Sequence, residues 1–372
     1  MSLLRLATRL PAYWAFRRFG RPRRLPLSLV VSVCYRCNSR CSTCNVWKRQ
    51  AQELTLDEWT RVFRKLGRAP YYMTFSGGEP FLREDLAEIV AAACRLCRPA
   101  VVTIPTNGLL PARIQAGVEA ILAAAPETQI GINLSLDGVG EQHDQIRNVP
   151  GNWERALETY RALRALKRPN LTLSIHTVIS TLNVADVPRI YQGLMALEPD
   201  SYITEIAEER GELGTIGMCI TPAAEQYAAA ADFLIDQLRR RPFRGFARVT
   251  QAFRSQYYAL VKRILAEERQ VIPCYAGWAS GHIAPDGDVW TCCIRAEPIG
   301  NLRETDYDLA PIWFGQAAER LRRSIRAGEC ACPMANAAYA NMLLHPPTLA
   351  RVLRELAAGW AASPWTHPKE SP

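Results

Sequence analysis

Six times between residues 25 and 215 an apolar, β-branched run gives way to a polar or helical stretch and returns. No other feature constrains the fold as much. Strands separated by helices cannot pair as hairpins; they lie parallel, with the helices covering the sheet. Strands are predicted at 25–33, 71–75, 101–105, 130–136, 171–178 and 202–207, and helices at 54–66, 86–96, 112–125 and 153–166. Thr55 is placed to cap the first of these helices, with Glu58 three residues on as its capping-box partner. A closed eight-fold barrel takes ~250 residues, so six units in this span predict an open α/β sheet. Residues 222–270 read as further helices, with a basic break at Arg239-Arg240-Arg241-Pro242.

In parallel sheets of this kind the chemistry sits at the C-terminal ends of the strands. The first strand runs into Cys37-Asn38-Ser39-Arg40-Cys41-Ser42-Thr43-Cys44. Three thiolates on one short loop can bind three corners of a four-iron cluster and leave the fourth iron open to a small molecule. The alternatives are a zinc site, which would want a fourth protein ligand and more often uses paired C-x2-C spacings, or three unrelated buried thiols. Cys34, just upstream, reads as a structural thiol at the strand end. The second strand runs into Ser76-Gly77-Gly78-Glu79-Pro80. Two glycines expose backbone groups there and Pro80 fixes the turn, so the segment suits an amino group and a carboxylate, or is an ordinary glycine turn. Thr106-Asn107-Gly108 follows the third strand. The fourth ends in Ser135-Leu136-Asp137-Gly138, where Ser135 and Asp137 share a face and point into the mouth of the sheet unless this is only an Asp-Gly turn. His143-Asp144-Gln145-Ile146-Arg147 comes next, with His143 read as a cap or solvated loop residue. His176, Tyr202, Glu205 and Glu208, on or just after the late strands, are the candidate groups on the substrate side. Cys94 and Cys97 fall on one helix face and read as core packing.

A second cysteine set, Cys274, Cys292, Cys293, Cys330 and Cys332, occupies the last hundred residues. Between its first two members, Ile283 to Trp290 alternates around Pro285-Asp286-Gly287, which predicts a hairpin. Four thiolates on a hairpin suit an iron–sulfur cluster or a zinc ribbon.

C-x3-C-x2-C after a first strand, with G-G-E-P after the second, resembles the radical S-adenosylmethionine (SAM) superfamily. The T-N-G turn and the H-D-x-I-R segment resemble it too, although Thr43 stands where an aromatic is usual and Asn148 where a glycine is. The resemblance implies a partial (β/α)6 TIM-like barrel. It implies a 4Fe-4S cluster on Cys37, Cys41 and Cys44, with SAM on its open iron. Gly77, Gly78, Glu79 and Pro80 would bind the SAM amino group, with Asn107 nearby and Ser135 and Asp137 at the ribose or carboxylate. The C-terminal pattern resembles the twitch and SPASM extensions, which hold auxiliary 4Fe-4S clusters. The ligands here would be Cys274, Cys292, Cys330 and Cys332, with Cys293 on the opposite face. Five cysteines fit one such cluster and the shorter twitch form. The organisation expected is a basic segment over 1–24, the barrel over 25–215, a helical bridge over 216–271, the cluster domain over 272–333, and a helix with a Pro-rich tail over 334–372.

Composition narrows the setting. Twelve cysteines in a chain with no secretory signal suit a reducing cytoplasm and cluster ligation rather than disulfides. No run approaches the ~20 apolar residues of a membrane span. Of the formal net charge of +9, much lies in residues 1–49, which hold eleven Arg and Lys and no Asp or Glu. Leucines, Trp14, Phe16 and Phe19 are interleaved among them. Such a segment suits a helix peripheral to an anionic membrane, or one packed on the barrel with its arginines in solvent, the preferred reading. No nucleic-acid recognition module is visible. The expected activity is reductive cleavage of SAM and removal of hydrogen from a small-molecule, lipid-linked or peptide substrate, with electrons from a flavodoxin or ferredoxin. A peptide-modifying maturase is the narrower alternative, and a non-catalytic iron–sulfur electron carrier or sensor the alternative from another class.

Overall fold

The computed structural model describes residues 3–240 and 246–361. Arg241 and Pro242 of the basic break, and the Pro-rich residues 362–372, lie outside them. After the N-terminal helix α1 (Leu3–Phe19) come β1 (Ser28–Cys34), α2 (Leu56–Leu66), β2 (Tyr72–Gly77), α3 (Leu86–Cys97), β3 (Val101–Thr106), α4 (Pro111–Ala124) and β4 (Gln129–Ser135). Two helices, α5 (Glu141–Arg147) and α6 (Asn152–Ala165), lead to β5 (Leu171–Ile179), and α7 (Val187–Met195) leads to β6 (Ser201–Ile206). Strands β1 to β6 pair in parallel, each beside the one before it, and the sheet does not close. The Thr55 cap forms: its side chain accepts from the Glu58 amide, and Glu58 reciprocates at 2.8 Å.

Strand parity sorts the residues into two faces. Leu29, Val31, Val33, Met73, Phe75, Val102, Ile104, Ile130, Ile132, Leu173 and Ile175 are buried in one apolar cluster with the residues of α2, α3 and α4. The other face is polar. Register places Thr74 beside Thr103, Asn133 beside Ser174 and Ser135 beside His176. A concave sheet that is greasy outside and hydrophilic inside is built to hold a polar ligand within its curve.

Helices α8 (Ala224–Arg240) and α9 (Phe246–Glu267) precede β7 (Ser280–Ile283), β8 (Asp288–Trp290) and β9 (Pro298–Asn301). The hairpin forms as predicted, with β7, β8 and β9 antiparallel. It also extends the barrel sheet: β7 pairs in parallel with β1, Val30 beside His282, giving the nine-strand order β6-β5-β4-β3-β2-β1-β7-β8-β9. The chain then forms α10 (Leu309–Trp313), α11 (Gln316–Ala327), α12 (Ala335–Leu343) and α13 (Pro346–Ala361), so the single terminal helix expected is two.

Helix α1 packs, but chiefly on the C-terminal part of the chain rather than on the barrel. Tyr13 and Phe16 are buried with Cys274, Tyr275, Trp278 and Ile325. Nor are all its arginines solvated. Arg17 donates to the Cys274 carbonyl at 2.9 Å and lies over the rings of Tyr275 and Trp278. Trp14 and Phe19 remain 49% and 67% exposed. No helix among the described residues is long and apolar enough to cross a membrane.

Candidate active site

The glycine turn lies directly against the cysteine loop. The Gly78 amide donates to the Cys34 carbonyl at 2.8 Å and the Glu79 amide to that of Arg36 at 2.9 Å. A β-carbon on Gly77 would stand 2.1 Å from Cys34 O, and one on Gly78 would stand 2.2 Å from Arg36 O. Gly77 also has φ of +133°, so both glycines are demanded by closeness and one by conformation. Cys34 is fully buried, its thiol 3.4 Å from the Glu79 carbonyl, a strand-end pin between the two loops.

Glu79 does not face outward. Its buried carboxylate accepts from the amides of Phe81 and Asn107 and from Thr106 Oγ1, at 3.2, 2.7 and 2.9 Å. Burial raises it to about 7 against the pull of these donors. It thus ties the glycine turn to the T-N-G turn, and Asn107 continues the link: its Nδ2 donates to Asn38 Oδ1 at 2.7 Å and lies 3.9 Å from Cys37 Sγ.

Asp137 is likewise turned inward, contrary to a free position in the mouth. It accepts from the Val178 amide at 2.8 Å and pairs with Arg147 Nη2 at 2.8 Å. The other arm of that guanidinium reaches Cys41 Sγ at 3.6 Å, so a buried cation faces the thiolate set. The carbonyls at the end of α5 also hold the loop, since Ile146 O accepts from the Ser42 amide and Arg147 O from Ser39 Oγ. Sequence reasoning gave Arg147 no role; its only signal was the motif that contains it. His143 is neither a cap nor solvated. It is fully buried, its Nδ1 accepting from the Asp137 amide at 3.1 Å and its Nε2 facing Asn152 Oδ1 at 3.1 Å. The proton therefore sits on Nε2. Asn148 ends α5 at φ +51°, the left-handed position that asparagine tolerates best after glycine.

The late-strand candidates separate. His176 and Glu205 lie on the polar face, Nε2 and Oε1 3.8 Å apart, and His176 Nε2 is buried without a hydrogen-bond partner. Ser135, beside His176 in register, shares that face. Tyr202 does not. Strand alternation turns it toward the helices, where it packs on Tyr191 at 5.4 Å and belongs to the apolar core. Glu208 is buried beside Arg210, and burial raises its carboxyl to about 8.

In the C-terminal set, Cys274 and Cys292 share one cluster of side chains, while Cys293 points away to Met334 Sδ at 3.0 Å. Burial raises the Cys274 thiol to about 11, and the charges of Cys292 and Cys330 add to this. Burial also raises Cys332, with the charges of Glu208, Cys274 and Cys292 adding in that order.

The donor sets fit clusters better than single ions. Thiolates on one tetrahedral zinc lie about 3.8 Å apart, given Zn–S bonds of about 2.3 Å. Among the described residues, the one group of three His, Cys, Asp or Glu with all ligand atoms within 4.8 Å includes none of these seven cysteines. Burial drives the Cys37 and Cys44 thiols up to about 11 and 12, a cost that iron removes by stabilising the thiolates.

Comparisons with known proteins agree. The description of the Radical SAM superfamily matches residues 31–194, and that of the SPASM iron–sulfur cluster-binding domain matches 274–333. The chain is 29% identical over 305 residues to the PqqA peptide cyclase of Granulibacter bethesdensis, covering 79% of this chain and 75% of that protein. Its fold is similar to Streptococcus suis SuiB bound to precursor peptide SuiA, with TM-score 0.62 and 16% identity over 86% of this chain and 71% of that one. It is similar also to anSMEcpe with bound AdoMet and Cp18Cys peptide, with TM-score 0.58 and 15% identity over 90% and 100%. With the cysteine loop and the glycine turn set side by side, residues 31–194 match a radical SAM domain and residues 274–333 a SPASM iron–sulfur cluster-binding domain.

Proposed function

We propose that this enzyme oxidises a peptide substrate, with Cys37, Cys41 and Cys44 holding the SAM-binding cluster. The observation that carries the reading is the pair of backbone bonds from Gly78 and Glu79 to Cys34 and Arg36, which set a glycine-lined niche beside three thiols. When bound, the cluster and SAM supply one electron and a 5′-deoxyadenosyl radical that takes a hydrogen atom from the substrate. The chain's own groups position and neutralise. Arg147 balances thiolate charge at Cys41; Glu79 and Asn107 fix the two turns relative to the loop; the Ser135 side of the polar face borders the niche. His176, whose Nε2 is buried without a partner 3.8 Å from Glu205 Oε1, accepts the proton that leaves an oxidised substrate. Cys274, Cys292, Cys330 and Cys332 would hold one auxiliary 4Fe-4S cluster, which would supply an acceptor for the second electron, and a flavodoxin or ferredoxin would supply the reducing electron.

The peptide class is favoured by the PqqA peptide cyclase, similar over most of this chain, and by SuiB and anSMEcpe, both solved with peptides. Anaerobic incubation with SAM and dithionite should yield 5′-deoxyadenosine, and Cys41→Ala should abolish it; a pure electron carrier yields none. Peptide extracts from cells with and without the active protein should differ by a species lighter by two hydrogens. A difference confined to non-peptide metabolites would sink the substrate class while leaving SAM cleavage intact.

A further inference from the structure

The mechanism leaves unused a buried group between the two cysteine sets. Glu212 lies in the loop after β6, His282 on β7 and Cys293 after β8. A carboxylate oxygen, a ring nitrogen and the sulfur all lie within 4.8 Å of one another. His282 is 1% exposed, and its Nδ1 has no hydrogen-bond partner. That atom stands 3.8 Å from Glu212 Oε1, close to the about 3.3 Å expected of two ligands on one tetrahedral ion. The far side of the ring is already committed, since Nε2 lies 2.8 Å from Ser32 Oγ on β1. A histidine that gives its Nε2 proton to such a partner presents a lone pair at Nδ1, the usual support for a metal-ligating ring. The Met334 thioether, 3.0 Å from Cys293 Sγ, fills a fourth side with a weak soft donor.

We propose that Glu212, His282 and Cys293 bind a structural zinc ion. Thiolate, imidazole and carboxylate together are a zinc donor set. A divalent ion stabilises the buried thiolate and carboxylate together, where the Arg210 cation alone offsets only one of their two charges. Arg210, 3.7 Å from Glu212 Oε2, leaves the carboxylate's other oxygen to the metal. The ion would fasten the last barrel loop to the C-terminal hairpin. Backbone bonds already start that seam, from the Gly211 amide to Ile294 O and the Glu212 amide to Cys293 O. Zinc is redox-silent, so it would add rigidity between two clusters without diverting electrons.

The test uses the complete protein with its iron–sulfur clusters loaded anaerobically, offered Zn2+ and then washed with a mild chelator. About one zinc per chain should remain, and its X-ray absorption should show a Zn–S distance of about 2.3 Å from no more than two sulfurs, with the other ligands nitrogen or oxygen at about 2.0–2.2 Å. Glu212→Gln, His282→Ala and Cys293→Ala should each lose the zinc and keep the iron, whereas Cys292→Ala should lose iron and keep zinc. The idea is overturned if the wild-type protein retains no zinc, if the retained zinc has three or four sulfur ligands, or if the Glu212 and His282 variants keep it. None of these outcomes depends on the substrate.

Discussion

At single positions the site is fixed by contacts that leave no room. Gly78→Ala would drive a methyl group into the Arg36 carbonyl, and backbone cannot swing away as a side chain can. The turn must move by about an ångström, a displacement that costs on the order of 100-fold in a well-placed reaction. Production of 5′-deoxyadenosine should fall by that order while iron content stays near wild type, because the three thiols are untouched. Retained activity would mean that the turn does not hold SAM. The motif glycines were readable in the sequence, since only glycine suits such closeness. The duties of Glu79 and Asp137 were not. A carboxylate in a binding motif looks as if it meets the ligand, and only the fold reveals that both are spent on backbone amides and Arg147.

Elements show the same division. Every one of the six parallel strands was legible, because β-branched runs separated by helical ones admit one arrangement. Tyr202 was misplaced because proximity to a strand end says nothing about which face a residue takes; counting parity from Glu205 would have turned it to the helix side. His143 was misread because a lone histidine in a polar segment carries no sign of burial. Its burial has a measurable consequence. Burial foremost, with Arg147 adding, lowers it from 6.5 to about 4. The unfolded chain therefore takes up a proton below pH 6.5 that the folded chain refuses, so stability is full above that pH and falls as acid is added. The loss should approach ~1.4 kcal/mol per pH unit, about 3 kcal/mol by pH 4. His143→Gln should flatten that slope in urea unfolding between about pH 5 and 6.5. An unchanged slope would show that the ring takes up its proton equally in the folded and unfolded chain.

Over the whole molecule, the residue-level reading separated two modules that the sheet joins. Cysteine spacing announced the C-terminal set, but nothing local announces that β7 will lie along β1, because a four-residue strand finds its partner only through tertiary packing. Helix α1 was ambiguous for a similar reason: its arginines face aromatic rings contributed from some 260 residues away. Phe16 is the test of that docking. Buried among Cys274, Tyr275 and Trp278, its truncation in Phe16→Ala should cost about 3 kcal/mol in urea unfolding. It should also hasten bleaching of the auxiliary cluster in air, leaving 5′-deoxyadenosine formation near wild type. A stability change within experimental error would place α1 outside the folded unit.

That docking also bears on biosynthesis. Helix α1 closes over a surface that is translated some 260 residues after it, so it must wait, basic and amphipathic, while the intervening polypeptide emerges. Cys274, once made, stays uncovered until the N-terminal helix settles into place.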